Sequence, residues 1–401
     1  MDKNKVRVSI LASIRNILLR VIDLQRLVRF FVLDSLLLTK KPIHNPKTLL
    51  IIRVDGIGDY ILFRNFLEAL KNSPRFKDYK YTLCGSQAYK ELALAYDSKI
   101  VPEFIWINSN KMKCHTFYRW KIFREIRTRG FEVVLNPTYS RNPICDDSIV
   151  RISGAKEKIG CKGDYVHEKR WEKNIFNRCY TELIDISSST IFEFNKNKEF
   201  IGKVTMTDLY QYTPTLPSLL NKTEIAHYAV ICPGSLLIKK RWPMKCFIQV
   251  MDFLYTTHGI SSVIVGDHRD LPSKEDTYIL SQHPYITNHI NKLTLAETVE
   301  IIQLCKLVVS NDTSVSHIGV ATKKPVFVIS NGEHYGRFTE YPKEVYDKIY
   351  YAYPPTITTS HLNFKELVEL YQYGSRLDIK TISVQAVIDI IEKSFNRNDV
   401  K

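Results

Sequence analysis

Residues 49–70 read LLIIRVDGIGDYILFRNFLEAL. The stretch opens with four branched apolar residues in a row, Leu49, Leu50, Ile51 and Ile52, the pattern of a strand covered on both faces. It then turns. Gly56 and Gly58 permit backbone conformations and close approaches that a side chain would block. Ile61, Phe63, Phe66, Leu67 and Leu70 follow at helical spacing. The stretch therefore predicts strand, glycine turn and helix. In an open α/β sheet such a turn lies at the carboxyl end of a strand, where ligands bind, and this one carries Arg53, Asp55 and Asp59. It is not a dinucleotide fingerprint, because Ile61 stands where GxGxxG needs its third glycine, and no GK[ST] follows for a phosphate loop.

Beyond this stretch, strand-like runs recur at residues 79–84, 103–107 and 131–136, with helical patterns at 88–96 and 117–129 between them. A second series lies at 228–232, 262–265, 307–309 and 325–329, with amphipathic helices at 244–257 and 295–305. Strands alternating with helices imply mostly parallel sheets joined by right-handed crossovers. A chain of 401 residues can bury two cores, and Pro214, Pro217 and their polar neighbours read as the linker. The expected division is a basic helical segment at 1–45, a first domain at 46–215, a second at 225–345 and closing helices at 346–401. Residues 156–215 are less regular. Lys158-Ile159-Gly160 fits one more short strand, and residues 165–178 mix His167, Lys169, Arg170, Trp171 and Arg178, a patch that suits either an anionic acceptor or a solvated connecting face.

With 44% hydrophobic and 25% charged residues the composition is that of a globular protein, which excludes a disordered chain. The net charge of +15 calls for anionic company: phosphorylated substrates, an anionic membrane or nucleic acid. Nucleic acid is disfavoured, since neither zinc-finger spacing nor an RNP-type motif is present. The eight cysteines are scattered without a CxxC pair, which argues for free thiols in a reducing compartment and against a metal site. At the amino end, Ile10, Leu11, Ile14, Leu18, Val21, Ile22, Val28, Phe31 and Val32 recur at helical spacing. Arg15, Arg20, Arg26 and Arg29 interrupt the segment, so it reads neither as a cleavable signal nor as a membrane span. A basic amphipathic helix of this kind suits a membrane interface. A helix packed on the protein's own surface or on a second subunit has the same pattern.

Further strand-to-turn junctions carry chemistry. Strand 131–136 empties into Pro137 and Thr138, with Tyr139, Ser140 and Arg141 next, either acceptor contacts or a plain loop. Strand 228–232 leads to Pro233, Gly234, Ser235 and then Lys239, Lys240 and Arg241. Backbone and hydroxyl donors beside concentrated positive charge fit a phosphate, though a basic run is also what a solvated face looks like. Strand 307–309 enters Ser310-Asn311-Asp312-Thr313-Ser314-Val315-Ser316-His317. That is a helix amino terminus aimed at an anion, with Thr313 and Ser314 as donors and His317 one turn in, as a further donor or as a structural histidine.

Three of these stretches resemble glycosyltransferase family 9, the ADP-heptose:lipopolysaccharide heptosyltransferases. The family's R-x-D-x-x-G-D turn reads here as Arg53, Asp55, Gly58 and Asp59. Its turn ending in K-x-W-P is matched by Lys240, Trp242 and Pro243, with Ser235 at a hydroxyl position and Leu236 where a second hydroxyl is frequent. Its [ST]-N-D-[ST]-G-x-x-H motif falls on Ser310, Asn311, Asp312, Thr313 and His317, with Ser314 in place of the glycine, and Asn331-Gly332-Glu333-His334-Tyr335 replaces a G-P-T-x-P loop. The resemblance covers residues 48–342 and the last helix.

It implies a GT-B fold: α/β, two doubly wound, Rossmann-like domains facing each other across a cleft, preceded here by the amphipathic segment, with the last helix crossing back to the first domain. It implies donor contacts from Gly234, Ser235, Lys240, Asp267, Asp312, Thr313, Ser314 and His317, with Asp267 or Asp270 either on a ribose hydroxyl or capping a helix. Acceptor contacts fall to Arg53, Asp55, Gly58 and Arg141. The reaction implied is an inverting transfer without metal or cofactor, in which Asp59 takes the acceptor proton and Lys240 stabilises the leaving diphosphate; the plain alternative for Asp59 is a helix cap. An ADP-sugar is the favoured co-substrate, and a lipopolysaccharide core or other anionic surface glycan the acceptor. The expected location is the cytoplasmic face of the inner membrane, through residues 1–41. The rivals are a GT-B enzyme using another nucleotide sugar for capsule or surface polysaccharide, a catalytically idle sugar-nucleotide-binding scaffold at a membrane, and an epimerase-like enzyme needing no acceptor.

Overall fold

β1 (Asn45–Arg53) carries the apolar run, and Leu49 to Ile52 are fully buried. It lies inside a parallel sheet between β2 (Lys80–Ser86) and β4 (Phe131–Asn136), with Leu49 opposite Tyr81 on one side and Val133 on the other. β3 (Glu103–Ile107), β5 (Glu157–Cys161) and β6 (Glu182–Ile184) complete the order β3-β2-β1-β4-β5-β6. Leu50 and Ile52 pack with Ile122 and Phe123 of the helix Thr116–Arg129 and with Ile149 of the helix Ser148–Ser153. The structure is a computed structural model that describes residues 25, 28–39, 41–219, 225–397 and 400.

A second parallel sheet has the order β12-β11-β10-β7-β8-β9, made of β7 (Tyr228–Cys232), β8 (Ser261–Ile264), β9 (Ile286–Asn288), β10 (Leu307–Asn311), β11 (Val326–Ile329) and β12 (Ile349–Ala352). β12 lies beyond residue 345, where the second domain was expected to end. The closing helix Val384–Asn396, expected to cross back to the first domain, buries Val387 and Ile391 in the core of this second sheet with Trp242, Phe247 and Leu254.

In each sheet the chain starts in the middle, builds outward to one side and returns to build the other. The reversal falls between β1 and β4 in the first sheet and between β7 and β10 in the second. Ligands bind outside the carboxyl ends of such switch-point strands. The turns after Arg53, Asn136, Cys232 and Asn311 follow these four strands, whereas the Asp267 turn follows β8 and the basic patch at 165–178 follows β5.

By compactness the chain forms two units, Met1–Val54 with Asp78–Gln87 and Val101–Asp185, and Asp55–Lys77 with Ala88–Ile100 and Ile186–Lys401. The predicted amphipathic segment lies outside the described residues over Ile10 to Ile22. Residues 28–38 are helical, and Phe30 and Asp34 are buried in the first unit. Among the described residues no helix is long and apolar enough to cross a membrane.

Candidate functional site

After β1 the chain passes into the second unit at Asp55. Gly56 is the N-cap of a short helix, Ile57–Ile61, and its N–H donates to Asp59 Oδ2 at 3.2 Å. Asp59 is half-buried and closes this first turn. The predicted single helix is broken after Ile61 and resumes at Asn65–Asn72, with Ile61, Phe63, Phe66, Leu67 and Leu70 all fully buried. Polar bonds fix the segment: the Tyr60 hydroxyl donates to Asp97 Oδ2 (2.6 Å) and Arg64 forms an ion pair with the same carboxylate (2.7 Å).

Gly58 explains its own presence. A Cβ there would lie 2.8 Å from Cδ2 of His317, so the glycine lets the turn rest against the helix Ser314–Ala321. Two motifs distant in sequence thereby meet inside one unit. Gly58→Ala is expected to lower stability by about 1–3 kcal/mol, because the buried His317 ring must shift to admit the methyl group. Urea unfolding of wild type and variant measures it.

The second and third motifs are tied by Asn311, whose side-chain amide donates to the Pro233 carbonyl (2.6 Å) and accepts from the Trp242 N–H (3.1 Å). Trp242 is buried, with Nε1–H donating to the Ile382 carbonyl at 3.0 Å. This clamp presents Lys240 to Asp312, Nζ to Oδ2 at 2.6 Å, with the two side chains only 12% and 6% exposed. Lys239 turns elsewhere and pairs with Glu333 (2.6 Å), which also accepts from the Ser375 N–H. Glu333 belongs to the loop that replaces the family's G-P-T-x-P. Arg241 pairs with Asp270 (3.1 Å) and donates to the Ser235 carbonyl. Gly234 lies so close to the Asp270 carboxylate that a Cβ would overlap it, and Ser235 is buried beside it. Asp267 accepts from the Arg269 N–H (2.7 Å) and pairs with its guanidinium, which holds the carboxyl below its usual range, and Asp270 accepts from the Asp267 N–H. Both acids cap the turn; Asp267 keeps 42% of its side chain exposed.

Thr313 caps the helix Ser314–Ala321 by accepting from the Val315 N–H (3.3 Å), and Thr313 and Ser314 remain half-exposed at its amino terminus. His317 is buried, and desolvation pushes its pKa down to about 4, so the ring is neutral at pH 7. Its Nδ1 lies 2.5 Å from the Tyr341 hydroxyl; in the tautomer with hydrogen on Nε2, the tyrosine donates. The unfolded chain protonates near 6.5 and the folded one near 4. The stability from neutral His317 is therefore complete above pH 6.5 and lost as pH falls through 4. Between pH 7 and 5, wild type should lose about 2 kcal/mol more than His317→Gln in paired urea titrations.

Arg53 and Arg141, expected on the acceptor side, are fully buried in the first unit. Arg141 donates to Asn177 Oδ1 (2.5 Å), lies 3.4 Å from both Asp147 and Glu168, and stacks over the Tyr180 ring. Burial pushes Asp146 up to about 7, with Asp147 adding to the rise, while Arg53 and Arg141 oppose it. Both guanidinium groups are thus withdrawn from the surface in this structure, Arg141 within a buried charged network. Asp55, Gly58, Asp59 and every expected donor residue lie in the second unit. Tyr341 was missed: it stands 24 residues beyond His317 in no recognisable motif, and only packing reveals it.

The profile of glycosyltransferase family 9 (heptosyltransferase) matches residues 119–341, more than half of the chain, and includes two of the three motifs. The chain belongs to glycosyltransferase family 9. Within the family it is 30% identical over 104 residues to lipooligosaccharide heptosyltransferase 2 of Haemophilus influenzae, a match covering 24% of this chain and 29% of that protein. The chain thus spans less than a third of that relative's length. Among solved structures it resembles the family 9 glycosyltransferase of Veillonella parvula, with TM-score 0.63 and 16% identity over 89% of this chain and 100% of that one. It also resembles E. coli heptosyltransferase WaaC with ADP, with TM-score 0.63 and 15% identity over 86% and 99%. These likenesses show the fold, the doubly wound pair of sheets known as GT-B.

Proposed function

We propose that this chain is an inverting glycosyltransferase that moves a heptose-like sugar from an ADP-sugar to a lipopolysaccharide core or another surface glycan. The observation that carries the reading is the seating of the Gly58 turn, which bears Asp59, on the helix whose amino terminus adjoins the Lys240–Asp312 pair. A base and an anion site thus share one unit. The acceptor hydroxyl oxygen attacks the anomeric carbon, its proton passes to Asp59, and the bond from that carbon to the diphosphate oxygen breaks with its electron pair leaving on the diphosphate. Lys240, released from Asp312, and the N–H groups and hydroxyls of Thr313 and Ser314 take up that charge without a metal. Lys240 and Asp312 are nearly dry, which strengthens their action on a bound anion. Neutral His317 donates from Nε2. Asp267 is exposed enough to reach a ribose hydroxyl while capping its turn. The solved WaaC structure, which this chain resembles in fold, is a complex with ADP, and that supports the choice of nucleotide. Residues 1–41 hold the enzyme on the cytoplasmic face of the inner membrane.

A thermal-shift series with ADP, UDP, GDP and CDP tests the donor. ADP is expected to raise the melting temperature selectively. Lys240→Ala is expected to weaken ADP binding by about 10–100-fold, the worth of one charge-assisted contact. Because this variant leaves Asp312 without its cation, the pair K240A/D312N serves as control for folding. A selective response to another nucleotide removes the heptose donor and keeps the transferase.

One observation favours a second reading. Leu236, Leu237 and Ile238, beside Lys240, are 72, 41 and 83% exposed. An apolar wall at that place suits a substrate other than the family's usual one, and turnover of another nucleotide sugar onto a capsule or surface polysaccharide would establish it.

A further inference from the structure

Three helices of the first unit share a face that the proposed chemistry does not use. Residues 28–38 dock through Asp34, whose carboxylate meets Arg119 at 2.6 Å, and through Phe30 beneath the same guanidinium. Val28, Val32 and Leu36, spaced i, i+4 and i+8, form a line on the solvent side and are 54, 57 and 64% exposed. A helix apolar on both sides calls for a cover on both. On one flank Leu33 and Leu36 line a depression of about 320 Å³ with Phe117 and Trp120 of the helix Thr116–Arg129. On the other flank Phe31 meets Phe176 edge to face at 6.2 Å, and the helix Arg170–Asn177 exposes Trp171 and Ile175 one turn apart. The apolar residues run across three neighbouring elements, a breadth that marks an interaction site.

Charge selects the partner. Arg29, Lys121, Arg124, Lys169, Arg170 and Arg178, on these three helices or at their caps, are exposed. Of the acids on these helices, Asp34 is buried on Arg119, Glu125 pairs with Arg129, and Glu172 accepts from the Lys169 N–H. Exposed tryptophan and aliphatic side chains on helices that also expose cations fit the boundary between acyl chains and anionic headgroups. We propose that this face is the docking surface for an anionic bilayer. The proposal rests on the membrane reading given above and assigns the contact to the folded surface that residues 28–38 form with the helices Thr116–Arg129 and Arg170–Asn177.

The test is flotation of the full-length protein with vesicles of phosphatidylcholine alone or mixed equally with phosphatidylglycerol. Binding is expected on the anionic vesicles only, and F117S/W120S/W171S should lower the partition by about tenfold or more. The three residues are exposed, so the melting temperature should hold. W120S/W171S keeps the half-exposed Trp106 and the buried Trp242, so a fluorescence blue shift with anionic vesicles that this variant loses reports insertion of this face. The variant I14D/L18D separates the two readings. If the triple variant floats like wild type while I14D/L18D does not, the proposal is overturned and the amino-terminal contact stands. If wild type binds neither vesicle, both fall. If the triple variant instead abolishes self-association in sedimentation, the face joins two copies and the proposal is wrong.

Discussion

Asp59→Asn is expected to lower turnover by about 10²–10⁴-fold while leaving ADP binding unchanged, the loss typical of removing a general base. The substitution separates two roles that the same carboxylate fills. As a cap, Asp59 accepts a hydrogen bond from the Gly56 N–H through Oδ2, and an asparagine carbonyl accepts that bond equally well. Stability should therefore change by less than about 1 kcal/mol, within the range of cap substitutions. As a base, the residue must take a proton, which an amide cannot do at neutral pH. Steady-state kinetics and thermal shift on one preparation distinguish the cases. Turnover within threefold of wild type would reduce Asp59 to a cap, and the idle-scaffold rival would then return if no acceptor is glycosylated at all.

Arg119→Met should produce the largest stability effect, about 3–5 kcal/mol, because it strands a buried carboxylate. Asp34 is 4% exposed and takes two bonds from Arg119, at 3.0 and 2.6 Å; the third guanidinium arm donates to the Ile144 carbonyl. Phe30 and Phe123 flank the guanidinium, so methionine fills its space without replacing its charge. Burial already raises the Asp34 pKa despite Arg119. A raised pKa gives stability that is complete at low pH and lost as pH rises through the folded value. The variant should accordingly recover on acidification, and the double change D34L/R119M should recover at every pH. Urea unfolding at two pH values measures both. If the single variant unfolds like wild type, helix 28–38 is not anchored by this pair.

The strands legible in the sequence were those with apolar runs, and the reason is burial on both faces: Leu49 to Ile52 in β1 and Leu307 to Val309 in β10 have no solvent side to call for a polar residue. β6, β9 and β12 escaped notice. Each is an edge strand of three or four residues, partly exposed, and a half-wet strand of that length carries no periodicity to read. The motif residues were legible because glycines and short polar side chains between a buried strand and a helix are required by local backbone geometry. Their partners were not. The Lys240–Asp312 pair, the Tyr341 hydroxyl on His317 and the packing of Gly58 on that ring join segments 24 to 259 residues apart, and nothing local constrains such distances. Arg53 and Arg141 show the same limit from the other side: a charged residue after a strand reads as exposed, and only the counter-charges of Asp147 and Glu168, brought by folding, allow Arg141 to be buried. The sequence alone determined the alternation of strand and helix, the family and the turns at which chemistry is sited, because these follow from hydrophobic period and backbone freedom. Tertiary structure decided which side chains meet there and which are withdrawn, because pairing and desolvation depend on neighbours that the chain supplies only once it is folded.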